Sequence, residues 1–227
     1  MCKMGGYWII LSARRDRYLC VAHDELTSVG SWLSGWTDQG LASNRLSLPD
    51  AEANALIDSL SSNGIITNDP VLGKSFTESE YAAPDGQLDA FDTMAVAKIP
   101  FVLVARFFFA CGTVDWRLRT QSFSRNLARL IRRRQRADSS NAIYNAAYVS
   151  RLIGTFKVLR PLYPRAYLCL YDSLALLEFL AGCRVLPHVV FGVVADPFQA
   201  HCWLQEGSTI LNDDLERVRR YKPILST

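Results

Sequence analysis

Several familiar signals are missing from this chain. No two of its six cysteines, at positions 2, 20, 111, 169, 183 and 202, have the Cys-x-x-Cys spacing of a zinc site or redox pair, which argues against structural zinc. No window offers the roughly 20 apolar residues of a membrane span. The most apolar run, Ala95 to Gly112, is broken by Lys98, Pro100 and Arg106 and reads as a buried helix. The opening Met-Cys-Lys-Met-Gly-Gly lacks the apolar core of a signal peptide, so a reducing cytoplasm with free thiols is the expectation. Histidine is also scarce: only His23, His188 and His201 are present in 227 residues, so any imidazole chemistry rests on one of them. No internal repeat is evident. What remains is an ordinary globular composition, 49% apolar and 21% charged, enough for one large domain or two small ones.

Acidic groups are missing from one stretch. Residues 98–165 hold 14 Lys or Arg against only Asp115 and Asp138, a block of +12, whereas the first 97 residues carry −7 and the last 62 carry −2. The basic block, with Arg132-Arg-Arg134 inside it, reads as a solvated helix face or as a dock for an acidic partner, the negative N-terminal part, or nucleotide phosphates.

Tyr7–Leu11 and Tyr18–Ala22 are aromatic and β-branched runs that predict an antiparallel hairpin. Short helices are expected over Asp24–Leu33 and Asp50–Asn63, the second stopped by Gly64, and Gly64–Thr67 reads as a short strand. Together residues 1–68 describe a winged-helix-like module. Residues 69–92, rich in Pro, Gly and acidic groups, read as a linker. From Thr93 to about Lys157 the chain looks helical, with Phe123, Leu127, Leu130 and Ile131 forming one stripe of a helix over Ser122–Arg136.

The chemistry concentrates between Tyr163 and Asp214. Leu170, Leu174, Leu177 and Ala181 form an apolar helical stripe with Gly182 as its stop, so Cys169 falls at a helix N-terminus. There the unpaired amides and the positive dipole end favour a thiolate. Val189–Val194 suits a central strand, and Phe198–Gln205 alternates, with His201 and Trp203 on one face and Cys202 and Leu204 on the other. If Glu206-Gly-Ser208 is a three-residue turn, Gln205 pairs with Thr209 and His201 stands opposite Asp213, close enough for a carboxylate to hold an imidazole. A shift of one residue would bring Asn212 or Asp214 there instead. Alone, Cys169 or His201 would read as a core residue. In combination, a helix-start Cys, a strand His and an acid on the next strand follow the order of papain-like and transglutaminase-like enzymes. Cys183 lies at the wrong helix end, Cys202 points away from His201, His23 has no paired thiol nearby in sequence, and His188 follows Pro187 at a strand entrance.

The set Cys169-Leu-x-x-Ser-Leu-Ala-Leu176, Gly192-Val, Asp196-Pro-Phe-x-Ala-His201-x-Trp203 and Leu211-Asn-Asp213 resembles the lasso-peptide biosynthesis B proteins, the leader peptidases of lasso-peptide maturation. The likeness covers about the last 60 residues. It implies a Cys169–His201–Asp213 triad in a protease domain at 93–227, an α+β fold with a helical first half and a small antiparallel sheet. It also implies an N-terminal element, here 1–68, that binds the leader of a precursor peptide, and leaders with Thr at the penultimate position. The implied partner is an asparagine-synthetase-like cyclase that uses ATP, with no cofactor bound by this chain itself. Cys202 replaces a more usual Ala, and Asp172 is an unexpected acid that could raise the Cys169 pKa if it faced the thiol. Competing readings are a non-catalytic peptide-binding scaffold, an acyltransferase or transglutaminase with the same triad, and a winged-helix nucleic-acid-binding regulator. The last is disfavoured because residues 1–68 are net −2 and the basic block lies elsewhere.

Overall fold

The computed structural model describes residues 1–30, 50–67, 69, 82–88, 99–137 and 145–227. They divide into two compact units, Met1–Glu80 and Tyr81–Thr227.

In the first unit the expected hairpin forms from β2 (Tyr7–Ser12) and β3 (Arg17–Ala22), and β1 (Cys2–Met4) adds antiparallel to β2, giving the order β1-β2-β3. Helix α1 (His23–Gly30) follows directly, and α2 (Asp50–Ser62) comes later. Trp8, Ile10, Val21, Leu26, Ala53 and Leu60 form the core, with Leu56, Ile57, Ile65 and Ile66 packed against it. Gly64 ends α2 as its residue type predicts. At φ +67° it donates to the Ser61 carbonyl, and Ile65 donates to that of Leu60, the paired bonds of a Schellman stop. That stop also corrects the expectation of a strand at Gly64–Thr67. The segment is a turn whose isoleucines fold back onto the core, and the third strand comes from the N-terminus instead. Among the described residues the first unit is a three-stranded antiparallel sheet with two helices. The end of the first expected helix, residues 31–33, lies outside the described residues.

The second unit starts inside the expected linker. Gly86–Gln87 form β4, which pairs in parallel with β7 (Thr209–Ile210). Its sheet runs β4-β7-β6-β5-β8, with β5 (His188–Ala195), β6 (Phe198–Glu206) and β8 (Lys222–Ser226) antiparallel to their neighbours. Between β4 and β5 come α3 (Phe101–Thr120), α4 (Phe123–Ala137), α5 (Ala146–Leu159) and α6 (Cys169–Gly182), and the short α7 (Leu215–Val218) lies between β7 and β8. Helix α6 is central, with Tyr171, Leu174, Ala175, Leu176, Leu177, Phe179 and Leu180 all buried, as a helix apolar on nearly every side must be. Phe156 of α5 bridges Phe107 of α3 and Phe179 of α6, with ring centroids 5.3 and 5.7 Å away.

Helix α3 corrects a second expectation. It buries Phe107, Ala110, Cys111 and Val114, but Phe101 is 83% and Phe109 71% exposed, so only one face of the apolar run enters the core. No described helix is long and apolar enough to cross a membrane.

Within β5, Gly192 sits where the β5–β8 register shifts. A Cβ there would lie 2.8 Å from the Trp203 ring and 2.9 Å from the Tyr221 Cβ, so the indole occupies the space a side chain would need. Gly192→Ala is expected to cost about 1–3 kcal/mol through overpacking, read as a lower urea midpoint at unchanged slope.

Candidate active site

Cys169 is the first residue of α6, and the segment ahead of it is held by a buried cation. The Arg160 guanidinium donates to the carbonyls of Tyr163, Arg165 and Ala166 at 3.1–3.2 Å and to Asp172 Oδ1 at 2.5 Å. It also lies over the Tyr167 ring, 4.4 Å from the centroid. Asp172 in turn accepts from the Leu168 amide at 2.8 Å. Asp172 is therefore neutralised by Arg160 and caps the start of α6, and it is not among the groups that shift Cys169. The helix ends by a Schellman stop as well, but the left-handed residue is Arg184 (φ +63°) rather than Gly182, which remains the last helical residue.

Strand β6 supplies His201. The β6–β7 turn is tighter than expected: Gly207 at φ +57° makes a two-residue loop, so Glu206 pairs with Thr209 and Gln205 with Ile210. That register, continued, would oppose Asp214 to His201. The ladder stops first. Leu211 still bonds Leu204, but Asn212 then turns its side chain into the sheet, accepting from the Leu204 amide at 2.7 Å and donating to Ser173 Oγ at 3.0 Å. This turn swings Asp213 onto His201, with Oδ2 2.5 Å from Nε2. Asp214 caps α7 by accepting from the Arg217 amide at 3.1 Å. Asp213 thus meets His201 for a reason other than the one expected.

The imidazole is also wedged between two rings. Trp203 stacks on it at 6.1 Å and Tyr221 lies 5.1 Å away. With Nε2 engaged by Asp213, Nδ1 is the nitrogen left for Cys169, which lines the same cleft. Cys202 reaches the same thiol. The alternation of β6 aims it at α6, where it meets both Cys169 and Ser173.

These contacts set the charges. Hydrogen bonds from the Cys202 side chain, from His201 and from the Cys202 amide outweigh burial and bring Cys169 down to about 4. Burial opposes the charged form of His201, but its bonds to Asp213 and Cys169 carry it up to about 9. Burial works against Asp213 too, yet His201, the Asp214 amide and Arg217 hold it below the ordinary carboxylate range. The bond to Cys169, with burial, pushes Cys202 well above its ordinary value, so it stays a thiol. Cys169 and His201 open on a cleft of about 590 Å³ that also touches Phe156, Lys157, Tyr167 and Leu176.

Sequence reasoning did not find Arg160 or the part played by Cys202. Arg160 had been counted within the basic block, and only its burial, at 4% exposure, sets it apart. The remaining candidates lie elsewhere: Trp8 and Lys3 bond His23, the Thr227 carbonyl bonds His188, and Arg106 bonds the Cys183 sulfur.

The profile of the transglutaminase-like superfamily matches residues 110–226, just over half of the chain, and the chain belongs to that superfamily. No curated protein and no solved structure matches it.

Two outcomes are expected. Arg160→Met strands Asp172 and three carbonyls and should cost about 3 kcal/mol, as breaking a buried pair does, with part recovered in the Arg160→Met/Asp172→Asn double variant in denaturant titrations. The second concerns pH. His201, raised from 6.5, contributes stability that is complete below pH 6.5 and lost as pH rises through about 9. Cys169, lowered from 9.0, contributes fully above pH 9.0 and loses its share as pH falls through about 4. The thiolate–imidazolium pair therefore occupies the window between about 4 and 9. Alkylation of Cys169 by iodoacetamide, followed by peptide mass mapping, should be on a plateau across that window, and His201→Ala should move its lower edge upward.

Proposed function

We propose that this protein is a cysteine peptidase that binds the leader of a ribosomally made lasso-peptide precursor and cuts at the leader–core junction. The observation that carries the reading is the bonded pair His201–Asp213 beside Cys169 on one cleft, with the Cys169 thiol lowered by His201. The superfamily includes cysteine peptidases, and the motif set around these residues resembles the lasso-peptide leader peptidases.

In this mechanism the Cys169 thiolate attacks the junction carbonyl. The His201 imidazolium gives its proton to the leaving amine, and Asp213 orients and charges the ring. Water, deprotonated by the now neutral His201, then releases the acyl-enzyme. The Cys169 amide, at the first position of α6, is the natural donor to the oxyanion, because the first amides of a helix have no intrahelical partner. Side chains and water complete the cycle. The freed core amine becomes the substrate of an ATP-using, asparagine-synthetase-like cyclase acting as partner.

Leader recognition falls to residues 1–68. Sheet β1-β2-β3 has β1 and β3 as its outer strands, and a leader adding to such an edge would take affinity from main-chain pairing and specificity from side-chain pockets. An acyltransferase reading shares every step up to the acyl-enzyme and differs only in whether water or an amine resolves it. The products of one assay separate the two.

That assay incubates the full chain with precursor peptide, with and without cyclase and ATP, and follows masses. Separate leader and core peptides are the expected products. Cys169→Ala should abolish them, His201→Ala should lower the rate by roughly 10³-fold or more, and Asp213→Ala should cost less, roughly 10²-fold. Turnover by Cys169→Ala at the wild-type rate would overturn the nucleophile, and an intact precursor under every condition would overturn the substrate.

A further inference from the structure

The sulfur of Cys169 has a second sulfur beside it. Helix α6 and strand β6 are drawn together by Ser173 Oγ, which donates to the Cys202 carbonyl at 3.1 Å. Cys169 lies one turn before Ser173 on the same helix face, so it overhangs the same point of β6. The Cys202 side chain projects toward α6, Cys169 and Cys202 line the same cleft, and each acts on the charge of the other. The environments are unequal. Cys169 is exposed in the cleft, whereas Cys202 is 3% exposed behind it. An accessible sulfur backed by a sheltered one is the arrangement of an oxidisable cysteine with its resolving partner.

We propose that Cys169 and Cys202 form a site of reversible oxidation, in which a hydroperoxide oxidises Cys169 and Cys202 then closes a Cys169–Cys202 disulfide.

In the first step the Cys169 thiolate attacks the distal peroxide oxygen, the O–O bond breaks, and the departing alkoxide or hydroxide takes a proton from His201. Sulfur is oxidised to a sulfenic acid and the peroxide is reduced to an alcohol or water. In the second step Cys202, giving up its proton, attacks the Cys169 sulfur. The S–O bond breaks, an S–S bond forms, and hydroxide leaves with that proton as water. A dithiol restores both thiols by supplying two electrons and two protons. The order is built in: while Cys169 carries its charge, Cys202 is held as a thiol by that charge and by burial, and conversion of Cys169 to neutral sulfenic acid removes the first of these restraints on the resolving sulfur. The pair forms whatever reaction Cys169 performs. Only the consequence, a masked nucleophile, rests on the peptidase reading.

The test uses the reduced full chain, exposed to a slight excess of hydrogen peroxide, alkylated, digested and mapped by mass. The expected result is loss of two free thiols per chain and a cross-linked peptide joining Cys169 to Cys202, both reversed by dithiothreitol. In Cys202→Ser, Cys169 should instead be trapped by dimedone as sulfenic acid and, with more peroxide, gain two oxygens that dithiothreitol does not remove. If Cys202→Ser fails to fold, the wild-type cross-link decides alone. Oxygen added to Cys169 in the wild type without a cross-link, a bridge to any other cysteine, or an unreacted Cys169 would each overturn the proposal. None of these readouts involves precursor cleavage, so the result stands apart from that of the cleavage assay.

Discussion

One hydroxyl joins the three segments on which the site is built. Ser173 Oγ donates to the Cys202 carbonyl of β6 and receives the Asn212 amide, while the Asn212 oxygen takes the Leu204 amide. Each of the three reacting residues is a close neighbour of this junction: Cys169 stands one turn before Ser173, His201 one residue before Cys202, and Asp213 one residue after Asn212. The spacing of nucleophile, base and orienting acid is thus inherited from three hydrogen bonds made by other residues. The Ser173–Cys202 bond is buried and the two made by Asn212 are part-buried, and a satisfied polar network so sheltered fixes position more firmly than apolar packing alone.

Around this junction the electrostatics are unusually internal. Much of the basic stretch that suggests an external partner is spent on the fold itself. Arg117 and Arg133 share Glu178 at 2.9 Å each, Arg134 bonds the Leu186 carbonyl, Arg165 pairs with Asp115, and Arg160 holds Asp172. A few half-buried acids therefore organise several helices. Net charge along a sequence counts these arginines as surface, although their heads are turned inward.

How much was legible depended on how local the cause was. The hairpin, α2 with its glycine stop, the strands β5 and β6 and the helix start at Cys169 follow from periodicity and end signals within a dozen residues, and they form as read. Asp213 was named from an assumed three-residue turn. The actual turn has two, and only the inward rotation of Asn212 brings the acid back to His201, which strand alternation alone cannot encode. Gly182 looked like a helix stop, but the chain takes its left-handed step at Arg184, because the hydrogen bonds of the stop fix the position and residue type only biases it. Gly64–Thr67 has strand-like residues and becomes a turn because its isoleucines find the core of the first unit. Arg160 and Cys202 were invisible for a common reason: their roles are defined by groups from other elements.

The contact between Trp203 and His201 also has an optical side. An indole is quenched more strongly by an adjacent imidazolium than by a neutral imidazole, and these two rings stack with their planes 29° apart. The emission of Trp203 thus carries the protonation state of His201, so light from one buried ring reports the charge on its neighbour without any added label. Ligand entry into the cleft, alkylation of the thiol and discharge of the ion pair all become events visible in fluorescence, through the same ring whose bulk reserves a glycine across the sheet.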